Sequence, residues 1–365
     1  MRIGVLREVK PLEGRVALIP DAVAELTDHG HEVWVEAGAG RVSGYADAEY
    51  AQAGARCAAD AAELYSQAQL VVKVKEPIAT EYPLLRSGQR LFSFLHLAAA
   101  PELAQALMQR GVTAIAFETV AVGDHLPLLA PMSEIAGRIA VQVGTTLLHT
   151  PSGGAGILLG GLPGAERGRV MVLGAGVAGG AATAAAAGVG AEVVVFDRSA
   201  AKLAQMRAIG PNVTALFPTR SALARAVREA DLLIGAVLSP GARAPRLVTR
   251  AMVAGMRPGS VVVDISVDQG GCVETTRATD YREPTYVAEG VIHFAVTNMP
   301  GAVPRTASQA LSGVLVPYVL RLAAAEWAAD PVLAAGVNVQ GGRIVHPAVA
   351  TALVGGRGDA PPKPS

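Results

Sequence analysis

Two sets of residues are spaced for chemistry. Gly174, Gly176 and Gly179 follow the apolar run Val170–Leu173 at the G-x-G-x-x-G spacing, and Asp197 closes a second apolar run, Ala191–Phe196. In such a unit the first glycine permits a tight turn and the second lets a pyrophosphate approach the backbone. The third lets a helix lie close to the strand, with its N-terminal amides, those near Val177 and Ala178, facing the phosphates. Asp197 stands where a ribose-binding carboxylate belongs. Glycines alone would read as an ordinary turn, but strand, triplet, helix, strand and acid in register predict a bound dinucleotide. The second set comprises Arg15, Lys75, His96 and Glu118, each after a predicted strand of the first third, and Asp268, after a strand of the later part. Ligands of open parallel sheets bind beyond the carboxyl ends of the strands. These residues therefore converge on two rims, where a cleft would hold a substrate against the dinucleotide. Each also has a plainer reading: Arg15 as a surface arginine, Lys75 as a solvated loop lysine, His96 as a hydrogen-bonded core histidine, and Asp268 as a turn aspartate.

The elements that must position these residues alternate. Strands are predicted at Ile3–Leu6, Glu32–Glu36, Leu70–Val74, Arg90–Leu95 and Val112–Phe117. Between them lie helices at Asp21–Leu26, opened by Pro20 and stopped by Gly30, around Asp60–Gln67, and at Pro101–Arg110. A long helix runs from Pro131 to about Leu148, with Ser133 as its N-cap. The glycine-rich stretches 151–156 and 160–164 lack a following Lys-Ser or Lys-Thr and read as a surface connection. Beyond Arg169 come a helix at Ser221–Glu229, a strand at Leu232–Val237, a Pro240-Gly241 turn, a helix near Val248–Ala254 and a strand at Ser260–Ile265. Short strands at Tyr286–Val287 and His293–Val296 complete this part. The apolar helix Ser308–Ala325, bent at Pro317, a strand at Arg343–Val345 and a helix at His346–Leu353 end the pattern.

The expected architecture is α/β, with two Rossmann-like doubly wound parallel-sheet domains joined by long helices and the active site in the interdomain cleft. Residues 1–127 plus 305–365 form a discontinuous substrate domain and 128–304 the nucleotide domain, with 355–365 as a disordered tail.

Composition agrees. The chain has 365 residues, 51% apolar and 17% charged, and zero formal net charge, with no basic cluster to suit nucleic acid. Two cysteines, Cys57 and Cys272, are too few for a disulfide framework and lack metal-ligand spacing. No leader and no membrane-length apolar run stand out, so a cytoplasmic protein without a metal site is expected. His29, His31, His125, His149, His293 and His346 lack strand-end placement and read as structural or surface residues.

Several segments resemble the L-alanine dehydrogenases: Arg2–Glu8, Glu13–Leu18, Val72–Pro77, Leu95–Ala98, Ala116–Thr119, Pro131–Gly137, Asp264–Cys272 and Thr297–Val303. They occur in order along nearly the whole chain. That family is related to the nucleotide-binding subunit of proton-translocating transhydrogenase, which shares the fold. The resemblance implies NAD-linked oxidative deamination of L-alanine to pyruvate and ammonium, and the reverse. Alternatives are a transhydrogenase nucleotide-binding subunit and a dehydrogenase for a larger amino or imino acid. By resemblance, Arg15 and Lys75 hold the substrate carboxylate and carbonyl oxygen, His96 is the general acid and base, and Asp268 positions water or ammonia. These types suit those tasks: arginine clamps carboxylates in pairs, histidine titrates near neutrality, and lysine stabilises developing negative charge.

The implied cofactor contacts are Ser133, Gly174, Gly176, Val177, Ala178, Gly179, Asp197, Val237, Leu238, Ile265, Asp268, Asn298 and Met299. Lys202 reads either as an adenosine-ribose contact or as a solvated helix lysine. Asp197 favours NAD over NADP, and the neighbouring Arg198 is the one side chain suited to a 2′-phosphate. The family usually forms hexamers, so a homo-hexamer is expected; Ser308–Ala325 would pack either between subunits or within its own chain. The sequence departs from the family pattern at Phe94 and Ile19, in place of tyrosine and threonine, and at Ala155, Gly180 and Ser239.

Overall fold

The computed structural model describes residues 1–237 and 244–355. The expectations at Leu238, Ser239 and the Pro240-Gly241 turn, and most of the predicted tail, lie outside the described residues. The chain divides into two compact units, one of Met1–Met132 with the chain from Val303 onward, the other of Ser133–Ala302.

In the first unit β1 (Arg2–Val5), β2 (Glu32–Glu36), β3 (Arg56–Ala58), β4 (Leu70–Val72), β5 (Arg90–Ser93) and β6 (Thr113–Ala116) are all parallel, in the order β3-β2-β1-β4-β5-β6. Strand order reverses between β1 and β4, which makes a crevice at their carboxyl ends. Flanking helices start and stop by local rules. Pro20–Asp28 and Pro101–Arg110 each carry proline in the first turn, and Gly111 ends the second at a φ of 66°.

The second unit repeats the plan with β7 (Arg169–Leu173), β8 (Glu192–Phe196), β9 (Val213–Leu216), β10 (Leu232–Gly235), β11 (Val261–Asp264), β12 (Thr285–Ala288) and β13 (Val291–Phe294). Their order is β9-β8-β7-β10-β11-β13-β12, and only the β12–β13 hairpin is antiparallel. The chain then returns to the first sheet. β14 (Val337–Gln340) pairs antiparallel with β6 and turns through Gly341-Gly342, both at positive φ, into β15 (Arg343–Ile344). Two consecutive positive-φ residues match the twist of a two-residue hairpin.

Two long helices differ from expectation in detail. The first spans Ala130–Leu147, so Ser133 is inside it and is not its N-cap. Pro131 explains the earlier start, because its fixed φ is already helical and its missing N–H costs nothing in a first turn. The second spans Pro304–Ala323 and includes Pro317. It buries Ala307, Ser308, Leu311, Ser312, Leu315, Val319 and Leu322 at helical spacing within its own unit. Two of these are serines with a task. Ser308 and Ser312 Oγ accept the N–H groups of Val16 and Ile19 at 2.9 and 3.0 Å, fastening the segment that carries Arg15.

Beneath the carboxyl ends of β1 and β4 lies a buried ion pair that the apolar run Leu70–Val74 concealed. Lys73 Nζ meets Glu81 Oε1 at 2.6 Å, with the Tyr65 hydroxyl donating to the same oxygen at 3.2 Å. A buried charge stripped of its partner is costly. Lys73→Met should therefore lower unfolding stability by about 3–5 kcal/mol, and Lys73→Met with Glu81→Leu should regain much of it, as read by urea denaturation.

Candidate active site

Arg15 is almost fully buried, although a surface arginine was one reading of it. Glu13 holds it from two residues away, with Nε at 2.7 Å from Oε1 and Nη2 at 2.5 Å from Oε2, a fork matched to a carboxylate. Nη1 reaches Met132 Sδ at 3.2 Å. The guanidinium is thus fixed in plane and charge-compensated.

Lys75 is half-buried just beyond β4. Its backbone, with that of Val74, is tied to Glu8: Val74 N–H donates to Oε1 at 2.6 Å and Lys75 N–H to Oε2 at 3.3 Å. Burial pushes the Glu8 carboxyl up to about 7, against the attraction of Lys73.

His96 follows β5 in a left-handed conformation, φ 48° and ψ 39°, which is uncommon for a residue with a side chain. Glu118 compensates for it. Its carboxylate accepts the His96 N–H at 2.6 Å and the Leu95 N–H at 3.3 Å, while His96 Nδ1 lies 3.8 Å away. The side chain of His96 is 49% exposed, so it is not a core histidine. Phe94 stacks parallel to the imidazole, at 2° and 5.9 Å between centroids, and is braced edge-on by Phe117. The phenylalanine at this position lies parallel to the imidazole and offers no hydroxyl. Arg15, Lys75 and His96 therefore lie in loops, and Glu118 in the 3-10 turn Phe117–Thr119, beyond the carboxyl ends of the first unit's strands.

The glycine loop of the second unit is built for close approach. Gly174 has φ 93°, and a Cβ there would stand 2.5 Å from the Ala236 carbonyl oxygen. A Cβ on Gly179 would stand 1.7 Å from the Gly174 carbonyl oxygen, whereas one on Gly176 would meet nothing within 4 Å. Gly176 begins the helix Val177–Gly188 without a side-chain cap, so the first-turn amides keep donors for an anion. Asp197 lies just beyond β8 and accepts N–H groups from Ala175 and Ser199, both at 2.8 Å, which ties it to the glycine loop. Open space at Gly176, uncapped amides and this carboxylate fit a dinucleotide. Ser133 lies one turn before Gly137, where an added Cβ would come within 2.1 Å of the Ala178 carbonyl oxygen, so that helix packs directly on the first turns of the helix Val177–Gly188.

Val237, half-buried, follows β10. Ile265 opens the 3-10 turn Ile265–Gln269, which carries Asp268. Asn298 and Met299 follow β13 in the same unit. Lys202 and Arg198 are exposed near the end of β8.

Asp264 carries no signal in the sequence beyond its place near the end of an apolar run. This buried carboxylate accepts N–H groups from Ser266, Cys272 and Val273 at 3.0, 2.9 and 3.2 Å, closing the loop that presents Asp268. Burial raises its pKa, with those hydrogen bonds and Thr276 opposing. Glu8, Glu13, Lys73 and Glu81 were also missed as a group; the only sequence signal was charge inside or beside apolar strands. His293 is buried and structural, with Nδ1 donating to the Val291 carbonyl at 2.9 Å and Nε2 2.7 Å from the Thr275 hydroxyl; burial lowers its pKa.

The family described as Alanine dehydrogenase/PNT matches at residues 4–136 with its N-terminal domain and at 140–347 with its C-terminal domain. The chain is 51% identical over 359 residues to an alanine dehydrogenase of Bacillus subtilis, covering 97% of this chain and 95% of that one. It is 50% identical over 360 residues to one of Halomonas elongata, covering 97% of each. A solved L-alanine dehydrogenase superposes with a TM-score of 0.93 at 49% identity over 97% of this chain and 99% of its own. A transhydrogenase structure from Sinorhizobium meliloti superposes at 0.83 with 30% identity over 95% of this chain and 100% of its own.

The two adjacent helix glycines give opposite expectations. Gly179→Ala should weaken dinucleotide binding by tenfold or more, about 1.4 kcal/mol, because backbone must move. Gly180→Ala, where the Cβ would meet only the flexible end of Met206, Cε at 3.4 Å and Sδ at 3.9 Å, should leave binding unchanged. Titration of NADH fluorescence checks both.

Proposed function

The chain belongs to the alanine dehydrogenase/PNT family, and from that premise we propose that it catalyses NAD-linked oxidative deamination of L-alanine to pyruvate and ammonium, and the reverse amination. The observation that carries the reading is the pair of fastened loops in the first unit, which present Lys75 and His96, together with Arg15 clamped by Glu13. A transhydrogenase subunit shares the fold, but identity falls from 49% to 30% between the two solved structures.

In this reading Arg15 binds the substrate carboxylate, and Glu13 fixes the plane of the guanidinium. Lys75 faces the oxygen on the reacting carbon and offsets its negative charge. His96 exchanges protons with the oxygen or nitrogen on that carbon, its ring steadied by Phe94. Asp268 orients the water or ammonia that adds there. The dinucleotide, when bound, supplies the two-electron redox chemistry. Gly174, Gly176, Val177, Ala178 and Gly179 would hold its phosphates, Asp197 its ribose, and Ser133, Val237, Leu238, Ile265, Asn298 and Met299 its remaining contacts, with Lys202 near the adenosine. The Asp197 carboxylate favours NAD, because a 2′-phosphate would meet a like charge. Among the described residues no helix is long and apolar enough to cross a membrane. A cytoplasmic location and a homo-hexamer are part of the proposal, the latter checked by light scattering.

Purified protein with NADH and ammonium should oxidise NADH on addition of pyruvate, and more slowly with bulkier 2-oxo acids. Absence of turnover with all of them overturns the enzyme reading, and preference for a bulky acid overturns alanine. His96→Ala should reduce kcat by at least about a hundredfold with NADH affinity retained, and normal turnover would remove its acid–base role.

A further inference from the structure

Glu8 has no part in the chemistry above, yet its carboxylate lies against the backbone that carries Lys75. Beyond the last paired residues of β1 and β4, Val5 and Val72, the two strands separate. On the side facing β5 the ladder continues, with Lys73 N–H donating to the Phe92 carbonyl and Phe94 N–H to the Val74 carbonyl. On the other side the Glu8 carboxylate stands in for the lost strand, accepting Val74 N–H at 2.6 Å and Lys75 N–H at 3.3 Å. Both oxygens are engaged, and both bonds need lone pairs.

We propose that Glu8 is a positioning residue for Lys75, whose ionised carboxylate clamps the Val74–Lys75 backbone and so sets where the lysine ammonium meets the 2-oxo acid. The proposal rests on the reading that Lys75 binds substrate.

The clamp is also proton-dependent. Glu8 faces Lys73 on the chain beyond β4, Glu13 on the segment that carries Arg15, and Glu81 on the following loop; Lys75 itself adjoins it. Burial is the largest influence and raises the carboxyl, Lys73 lowers it, and Glu13 and Glu81 raise it, for a value of about 7. Protonation turns one acceptor oxygen into a hydroxyl and weakens the double clamp. Substrate affinity should therefore fall as pH drops through neutrality. Stability runs the other way. A carboxyl whose pKa is raised on folding stabilises the fold below its unfolded value and loses that contribution as pH rises through about 7. Ionised Glu8 thus serves the site at a cost to the fold.

The test is binding of oxamate, an unreactive pyruvate isostere, to the NADH-loaded protein from about pH 6 to about pH 8, either side of the Glu8 midpoint near 7. Oxamate affinity of the unmodified protein should rise across that range. In Glu8→Gln the rise should shrink by roughly threefold or more, while NADH affinity is unchanged. Thermal stability of Glu8→Gln near pH 8 should equal or exceed that of the unmodified protein. Glu8→Asp should retain a proton-linked step at a shifted midpoint, and it covers the case in which Glu8→Gln does not fold. A Glu8→Gln profile that overlays the unmodified protein, or lower stability with an unchanged profile, overturns the clamp. Lys75→Ala separates the two readings. If it leaves oxamate binding intact, the substrate role of Lys75 fails. If it abolishes binding while the Glu8→Gln profile stays normal, the clamp alone fails.

Discussion

The functional loops depend on one constraint: a backbone N–H that leaves a strand ladder still needs an acceptor. Where parallel strands splay at their carboxyl ends, the neighbouring strand can no longer supply it. This fold answers repeatedly with a carboxylate. Glu8 takes the amides of Val74 and Lys75, Glu118 those of Leu95 and His96, Asp197 those of Ala175 and Ser199, and Asp264 those of Ser266, Cys272 and Val273. Bonds from neutral amides to an ionised acceptor are among the stronger hydrogen bonds available. Each carboxylate thus fixes a loop where ordinary sheet pairing has ended.

That solution requires negative charge in places where it is expensive. Glu8, Asp264 and Glu36 all have pKa values raised by burial. In the first unit the balance is restored by cations inside the same region: Lys73 beside Glu81, and Arg15 beside Glu13. The buried lysine is therefore part of the electrostatic support for the loop two residues later. It acts without touching any proposed substrate.

The same constraint explains which features were legible in the sequence. Apolar runs carried most of both sheets and the strand-end positions of Lys75, His96 and Asp268, because burial continues to the loop; the edge strand β9, with only Val213 fully buried, gave no such run. It extended β4 to Val74 and β5 to Leu95, whereas the strands end at Val72 and Ser93. Val74 and Leu95 remain fully buried, but their amides have changed partner from strand to side chain. A pattern of apolar residues records burial and is blind to the identity of the acceptor. β3 was invisible for the converse reason, since Arg56 and Cys57 are exposed edge residues with no apolar signature. β14 was hidden by the buried Asn338, whose Nδ2 donates to Thr119 Oγ1 and the Gly336 carbonyl.

Fastening through the backbone also decides what the side chains are left to do. Had Glu118 paired with the His96 imidazole at hydrogen-bond distance, the ring would be committed to a carboxylate. Instead it takes the main-chain N–H at 2.6 Å and leaves Nδ1 at 3.8 Å. Left-handed backbone at a residue other than glycine costs about 1 kcal/mol or more, and the two Glu118 bonds offset that strain without using the catalytic candidate's own atoms. Lys75 follows the same rule, held by its N–H while its ammonium has no ion pair among the described residues. Arg15 is the exception, since its guanidinium is gripped directly by Glu13. That difference suits the proposed roles. A carboxylate clamp needs a fixed plane more than freedom, whereas the proton exchange proposed for His96 and the charge stabilisation proposed for Lys75 need side chains not committed to a close ion pair.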